Sequence, residues 1–250
     1  MEPFFYRVKP RHLSPDQLDQ VLSRGWYRMR QDLFTISHLA EEFGFYRVHW
    51  LRVDVNRIIG HRSHRRIRKN HAHCSVVIEP LITVSEEHRN LHRKYRRSID
   101  FDGVRSIQEG LFGEEVTDSI FSTWSISVYD GEKLIAAGYF DIGAESAASI
   151  LHFFDPEYAQ FSPGKFLILC TIDFMRSKGL QWYYPGYVVA GKPKMDYKLF
   201  LGREVVEYFS PEVQQWRPFV DQILLDEPII IPVLTDTDDE NSQASELQED

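Results

Sequence analysis

Residues 162–209 read SPGKFLILCTIDFMRSKGLQWYYPGYVVAGKPKMDYKLFLGREVVEYF, and the fold assignment starts here. Ser162 precedes Pro163, an order typical of a helix N-terminus, because the hydroxyl can cap free N–H groups and proline suits the first helical position. Apolar residues then recur at steps of three and four, which predicts one buried helix face. Gly179 follows two cations and predicts the end of this helix near Lys178.

The segment after this helix combines aromatic and cationic side chains. Trp182–Val189 contains a tryptophan and three tyrosines and is predicted to form a strand. A turn that carries KPKMDYK, residues 192–198, and a final strand follow it. Aromatic rings and ammonium groups that converge after a strand indicate a binding site rather than side chains packed in the core.

Composition narrows the class of protein. The chain has 250 residues, 43% of them hydrophobic, which is enough for a real core in one large or two small domains. It contains only Cys74 and Cys170, so neither a disulfide framework nor a cysteine metal site is expected. Neither a membrane-spanning apolar run nor a signal-peptide pattern is visible. These features predict a soluble, cytoplasmic protein.

The formal net charge of −8 is unevenly distributed. Residues 218–250 hold ten Asp and Glu residues and no Lys or Arg, so residues 1–217 carry about +2. The last fifteen residues, DTDDENSQASELQED, are acidic and nearly devoid of large apolar groups. Because such a segment cannot bury enough apolar surface to fold, we predict a disordered acidic tail over residues 233–250.

A basic stretch lies in the first half of the chain. Arg57–His73 holds six cations and four histidines and no acidic residue. A helix predicted to start at Ser85 is also strongly basic toward its C-terminal end. Local positive charge of this kind suits a phosphate backbone, so we predict a nucleic-acid contact. The candidates, for which the family resemblance given below implies RNA, are Arg57, Arg62, Lys69, Arg93 and Arg97. The histidines lack carboxylate or cysteine partners at metal-like spacing, so no metal site is predicted.

The order of strands predicts a mixed α/β sheet. Asp130-Gly131 is a strong tight-hairpin signal. It joins the predicted strands Trp124–Tyr129 and Leu134–Ile142. The other predicted strands before the helix are Phe45–Val55, Ser75–Ile82, which is taken as buried, and Ala147–Phe154. A helix and a further strand follow. We divide the chain into a basic N-terminal α/β region, residues 1–105, and a second domain, residues 106–232.

This order of elements resembles the second half of the GNAT acyltransferase fold. The motifs HFFDPEY, SPGKF, GLQWYYPGY and KPKMDYKLFLGREVVEY are similar to the C-terminal domain of the arginyl-tRNA–protein transferases and their bacterial leucyl-transferring relatives. Weaker likeness in the N-terminal half lies in LDQVLSRGWYR, LRVDV and RSHRRIRKN. The resemblance implies a GNAT-like fold with a smaller N-terminal α/β region. Family cysteines upstream of the LRV-type strand have no counterpart before Cys74.

The resemblance also implies a reaction. Enzymes of this family move arginine or leucine from aminoacyl-tRNA onto the N-terminal residue of an acceptor protein. For this chain we predict that this N-terminal residue is acidic. The ester is already activated, so the enzyme mainly positions its substrates and stabilises an oxyanion. No cofactor, metal, membrane or DNA partner is expected. The catalytic candidates are Tyr187, Lys194, Tyr197 and Lys198, and the substrate-binding candidates are Met195, Tyr184, Lys192, Arg65, Arg66 and Arg68.

Two other functions remain open at this level. A GNAT acetyltransferase would hold the pyrophosphate of acetyl-CoA on backbone N–H groups at the start of the central helix. Residues 160–165, QFSPGK, form a poor version of that turn, because Pro163 removes one N–H group. A non-catalytic RNA- or peptide-binding relative is the second alternative.

Overall fold

A computed structural model describes residues 2–42, 44–100, 103–113 and 119–230. The acidic tail expected at residues 233–250 lies outside these ranges. The described α-helices are α1 (Pro15–Leu22), α2 (Arg62–Asn70), α3 (Glu86–Arg96), α4 (Ile107–Leu111) and α5 (Pro163–Ser177). The described strands are β1 (Phe5–Val8), β2 (Tyr27–Met29), β3 (Asp32–Ile36), β4 (His38–Glu41), β5 (Gly44–Asp54), β6 (Ser75–Pro80), β7 (Thr123–Asp130), β8 (Lys133–Ile142), β9 (Ser146–Phe154), β10 (Trp182–Val189), β11 (Val206–Ser210), β12 (Gln215–Pro218) and β13 (Ile229–Ile230).

The strands form two sheets. A small sheet has the order β1-β3-β2, and a large one the order β12-β11-β5-β10-β9-β8-β7-β6, with β4 and β13 also paired to β5. Only β9 and β10 are parallel among the pairs of the large sheet that the structure describes. The mixed α/β class is therefore confirmed, as is the GNAT-like succession β7-β8-β9-α5-β10.

Helix α5 crosses the large sheet and supplies much of the main core. Leu167, Ile172 and Met175 are at most 1% exposed because they pack against the strands. Pro163 occupies the first turn as predicted, but the predicted cap by Ser162 is wrong. Ser162 has a left-handed backbone, φ +60°, and its side chain makes no capping hydrogen bond. Its backbone carbonyl instead accepts from the N–H groups of Lys165 and Phe166.

Two further local predictions need correction. The strand predicted as buried at Ser75–Ile82 is β6, which lies at the edge of the sheet among the described strands, pairs there with β7 and leaves most of its side chains exposed. Its apolar run does not distinguish a central from an edge strand. The predicted KPKMDYK turn lies instead in a 3₁₀ helix, Pro193–Leu201, because Pro193 favours a helical first turn. This helix is called the 3₁₀ segment from here on.

The parallel ladder between β9 and β10 is short, and the two strands then separate. It joins Trp182–Tyr184 to Ser146–Ala148 and ends there. Pro185 comes next and has no N–H group to donate across the gap. Gly186 follows with φ +93°, a conformation that glycine tolerates best, and the pairing of β10 with β5 shifts register at this point. Pro185 and Gly186 thus open a gap in the sheet.

The N-terminal part of the chain contributes to the same sheet. β5 lies between β11 and β10, and β6 pairs with β7, although both strands precede residue 105. The proposed boundary between residues 105 and 106 stays a prediction. Across the described ranges, no helix combines the length and the apolar character needed to span a membrane.

Candidate functional site

A cavity of about 350 Å³ lies where β9 and β10 separate. Its walls come from the small sheet, β5, α3, β9, β10 and the 3₁₀ segment. The lining residues are Tyr27, Arg28, Phe34, Trp50, His92, Tyr95, Arg96, Ile99, Gly103, Val104, Ser149, Ile150, Leu151, His152, Pro185, Gly186, Tyr187, Met195, Tyr197 and Lys198. None of these described residues is Asp or Glu, so the cavity is both aromatic and cationic.

Aromatic rings form one wall of the cavity. Tyr27 stacks on Trp50 with 5.4 Å between ring centroids, and Trp50 meets Tyr187 edge-on at 5.0 Å. The Tyr27 hydroxyl lies 2.5 Å from the carbonyl oxygen of Ser149 on β9 and 2.8 Å from that of Tyr184 on β10. The Tyr27 hydroxyl thus donates to carbonyl groups of both strands, at the point where the hydrogen bonds between β9 and β10 end. Tyr27 fixes the inner end of the gap.

Lys198 places an amine in this wall. Its Nζ donates a hydrogen bond to the carbonyl oxygen of Tyr187 over 2.6 Å and lies 5.1 Å from the centre of the Tyr187 ring. Burial disfavours the ammonium form and lowers the pKa of Lys198 to about 8. Lys198 can therefore present a positive charge near neutral pH and lose it within a physiologically accessible range.

Two histidines face the same cavity as neutral groups. The Nε2 atom of His152 lies 3.3 Å from the Ser149 hydroxyl, and burial together with the charge of Lys198 lowers the pKa of His152 to about 4. Burial, and then the charge of Arg96, also lowers the pKa of His92. Both imidazoles are therefore uncharged at neutral pH.

The cavity brings together some of the predicted site residues. Tyr187, Met195, Tyr197 and Lys198 all line it. Lys194, Lys192 and Tyr184 do not. The ammonium of Lys194 lies 2.7 Å from Asp100, Lys192 pairs with Glu41, and Tyr184 is buried against Trp216. The roles of all seven residues stay predictions.

The basic residues lie away from the cavity, chiefly on α2 and α3. Arg68 is paired with Asp173, Arg65 donates to the carbonyl oxygen of Gly60 at 2.6 Å, and Arg57 donates to that of Glu204 at 3.3 Å. On α3, Arg93 lies 3.0 Å from Glu86. Arg68 is half-buried, and the other candidates are exposed: Arg57, Arg62, Arg65, Arg66, Lys69, Arg93 and Arg97.

Two histidines of the basic stretch, His64 and His71, are buried in packing contacts, and the other two lie beside carboxylates. His64 lies 2.8 Å from the carbonyl oxygen of Phe200, and His71 stacks on Phe166 at 4.3 Å. His61 contacts Glu204 at 3.0 Å, and His73 lies 3.6 Å from Asp130.

Several cavity residues escaped the sequence analysis. His152 belongs to HFFDPEY, which indicated the family resemblance but no role for the histidine. His92, Tyr95 and Arg96 lie on α3, whose periodicity gave no sign that it faces a cavity. Trp50 and Tyr27 reach the site only through pairing of distant strands, which no local pattern reveals.

Comparison with known proteins shows which family the residues of this cavity resemble. The family described as "Arginine-tRNA-protein transferase, C terminus" matches residues 87–206. An aspartate/glutamate leucyltransferase of Leptospira interrogans is 27% identical over 156 residues, which cover 60% of this chain and 59% of that protein. Arginyl-tRNA–protein transferase 1 of Saccharomyces cerevisiae is 35% identical over 95 residues, 38% of this chain and 19% of that protein.

The chain therefore spans less than two thirds of the length of these relatives. Among solved structures, L-PGS from Bacillus licheniformis aligns with a TM-score of 0.39 and 11% identity, covering 57% of this chain and 46% of that one. A likeness at that level adds nothing to the assignment. The family match spans α3, β9, β10 and the 3₁₀ segment, four of the elements that wall the cavity. Residues 87–206 of this chain match the arginine-tRNA-protein transferase C-terminal family, as their motifs predicted.

Proposed function

We propose that this chain is an aminoacyl-tRNA–protein transferase that moves an amino acid from tRNA to the N-terminal residue of an acceptor protein. One observation carries the proposal: the segment that matches the family contains the cavity residues Lys198, Tyr187 and His152. In this proposal the two substrates meet in the gap between β9 and β10. The names of the relatives support the same reaction class.

The reaction needs little from the protein beyond position and charge. The α-amine of the acceptor attacks the ester carbonyl carbon, a C–N bond forms, and the carbonyl oxygen becomes an oxyanion. The bond to the ribose oxygen of the tRNA then breaks, the amine loses a proton and the ribose oxygen gains one. In this proposal the ammonium of Lys198 stabilises the oxyanion, because a fixed charge in a partly buried site acts more strongly than in water.

The lining favours leucine over arginine as the transferred residue. Trp50, Phe34 and Met195 offer apolar contacts, whereas Lys198 and Arg96 would repel a guanidinium group. A carboxylate that could pair with that group is absent from the described lining. The same cations suit an acceptor that begins with Asp or Glu, in line with the name of the leucyltransferase relative.

The tRNA body requires a second surface. The exposed arginines and lysine of α2 are suited to phosphate contacts, since such contacts supply most of the sequence-independent affinity for nucleic acids. The acetyl-CoA alternative is less well supported. Pro163 lacks an N–H group, and Ser162 has a left-handed backbone, at the helix start where a pyrophosphate would bind.

A transfer assay tests the proposal. The purified chain is incubated with leucyl-tRNA or arginyl-tRNA, labelled on the amino acid, and with peptides that begin with Asp, Glu or Gly. We expect label on the Asp and Glu peptides from leucyl-tRNA, and loss of transfer in Lys198→Ala. The matched control, Lys178→Ala, removes an exposed lysine from the end of α5 and should leave the rate unchanged. Absence of transfer from either donor, with acetylation by acetyl-CoA, would contradict the proposal.

A further inference from the structure

His152 lies in the cavity, and neither oxyanion stabilisation nor substrate positioning, as proposed above, uses it. It is on β9, beyond the end of the ladder with β10, on the same wall as Ser149. Its Nε2 atom is 3.3 Å from the Ser149 hydroxyl, which restrains the orientation of the ring. A neutral, oriented imidazole beside an open gap is able to exchange protons with a bound substrate.

The sheet makes room for this ring on the neighbouring strand. Gly138 of β8 is directly opposite His152 in the antiparallel register. A Cβ atom built on Gly138 would lie 2.4 Å from Cδ2 of His152 and 2.9 Å from the carbonyl oxygen of Leu151. The first distance is far below van der Waals contact, so any larger residue at 138 would push the imidazole out of place. Glycine at this position therefore leaves the space that the ring occupies.

The charges around His152 favour proton loss from an arriving amine. Lys198 faces it from the 3₁₀ segment, and His92, Tyr95 and Arg96 line the cavity from α3. An acceptor amine that enters as an ammonium ion meets like charge, with no carboxylate among the described lining residues. Such surroundings lower the affinity of the amine for its proton, and an uncharged group nearby is needed to take that proton.

We propose that His152 is a further catalytic residue, whose imidazole accepts the proton that the acceptor amine loses as its nitrogen attacks the ester carbonyl. The imidazolium then returns that proton to the ribose oxygen when the C–O bond breaks, so the cycle needs no other reactant. Gly138 is the positioning residue for the ring. This inference rests on the proposed function and assigns one step of that reaction.

Single-turnover transfer from leucyl-tRNA to an Asp peptide tests the role. His152→Gln keeps a polar side chain of similar size but cannot accept the proton. We expect its rate to fall about 10²- to 10⁴-fold, the range typical of a lost general base, while KM for the peptide changes little. Added imidazole should partly restore His152→Ala. A rate for His152→Gln within threefold of the wild type would overturn the proposal.

Gly138→Ala provides a second, independent variant. It should lower the rate because the ring is displaced, and in the double variant with His152→Gln it should add little further loss, since both changes remove the same group. Fully additive losses would contradict the positioning role. Thermal unfolding shows whether each variant is folded. If the wild type itself transfers from neither tRNA, the proposed function fails and this inference with it. Transfer by the wild type that His152→Gln does not slow overturns the inference alone.

Discussion

The ammonium group of Lys198 donates a hydrogen bond to the carbonyl oxygen of Tyr187, 2.6 Å away, just where β10 has left β9. That carbonyl gives the amine one partner, but no carboxylate balances its charge among the described residues that line the cavity. Burial therefore lowers the pKa of Lys198 to about 8 from its ordinary value of 10.5. A lysine with a lowered pKa costs folding stability, which a purely structural residue would not be expected to do.

Lys198→Met should raise the free energy of unfolding while it abolishes transfer. A pKa shift of this size corresponds to about 1–3 kcal/mol after allowance for the lost hydrogen bond. The folded-state pKa lies below the unfolded one, so the cost is fully present below pH 8 and fades as pH rises toward 10.5. Urea unfolding at pH 6.5 and at pH 10 checks this. An equal difference between the variant and the wild type at both pH values would contradict it.

The pH dependence of transfer should be bell-shaped with a maximum near pH 8. The rate rises with pH because the α-amine of the acceptor, with an ordinary pKa of about 7.7–8.0, must be neutral to attack. It falls above pH 8 because Lys198 loses its charge. Measurement of kcat/KM from pH 6 to pH 10 would give both limbs.

Lys198→Arg serves as the diagnostic for that profile. Arginine stays charged at every pH used, so the falling limb should disappear even if altered geometry lowers the maximal rate. A falling limb that persists in Lys198→Arg would show that another group controls it.

Local sequence signals were sufficient for α3, α5 and the long strands β5, β7, β8, β9 and β10. Ser85 accepts a hydrogen bond at the start of the helix it predicted, and the Asp130-Gly131 hairpin joins β7 to β8. These signals depend on residues within one turn of each other. They failed where position in the sheet decides the outcome, as at β6, whose apolar residues lie on an edge.

The candidate site was only half predictable for the same reason. Tyr187 and Lys198 are eleven residues apart and belong to one motif, so the chain itself brings them together. Tyr27 reaches Ser149 across 122 residues of sequence, and Trp50 reaches Tyr187 through the pairing of β5 with β10. Such contacts depend on strand order, which a single sequence does not specify. The position of His152 opposite Gly138 depends on the register between β8 and β9, which the sequence alone does not give.

Arg28→Met should be among the most destabilising single changes in the chain. Arg28 and Asp141 form an ion pair of 2.7 Å, with side chains 1% and 0% exposed, that joins β2 to β8. Removal of the arginine leaves a buried carboxylate, at a cost of about 3–5 kcal/mol. Burial already raises the pKa of Asp141, so Asp141→Asn in the same chain should recover part of the loss.

Urea unfolding measures both effects of that pair. Arg203→Met is the control, because Arg203 and its partner Asp221 have side chains that are 50% and 64% exposed, and an exposed pair contributes about 0–1 kcal/mol. A similar loss for Arg203→Met and Arg28→Met would contradict the argument from burial.

Arg62→Ala and Arg66→Ala should weaken tRNA binding in a salt-dependent manner. Both arginines are exposed on α2, where they can reach phosphates. A lost phosphate contact reduces the slope of log K against log salt by about 0.9 for a duplex and 0.7 for a single strand. Binding of tRNA that carries no amino acid, measured by fluorescence anisotropy from 50 to 300 mM salt, gives that slope. Arg24→Ala, an exposed arginine beyond α1, should leave it unchanged. Equal slopes for all four proteins would mean that α2 does not contact the tRNA.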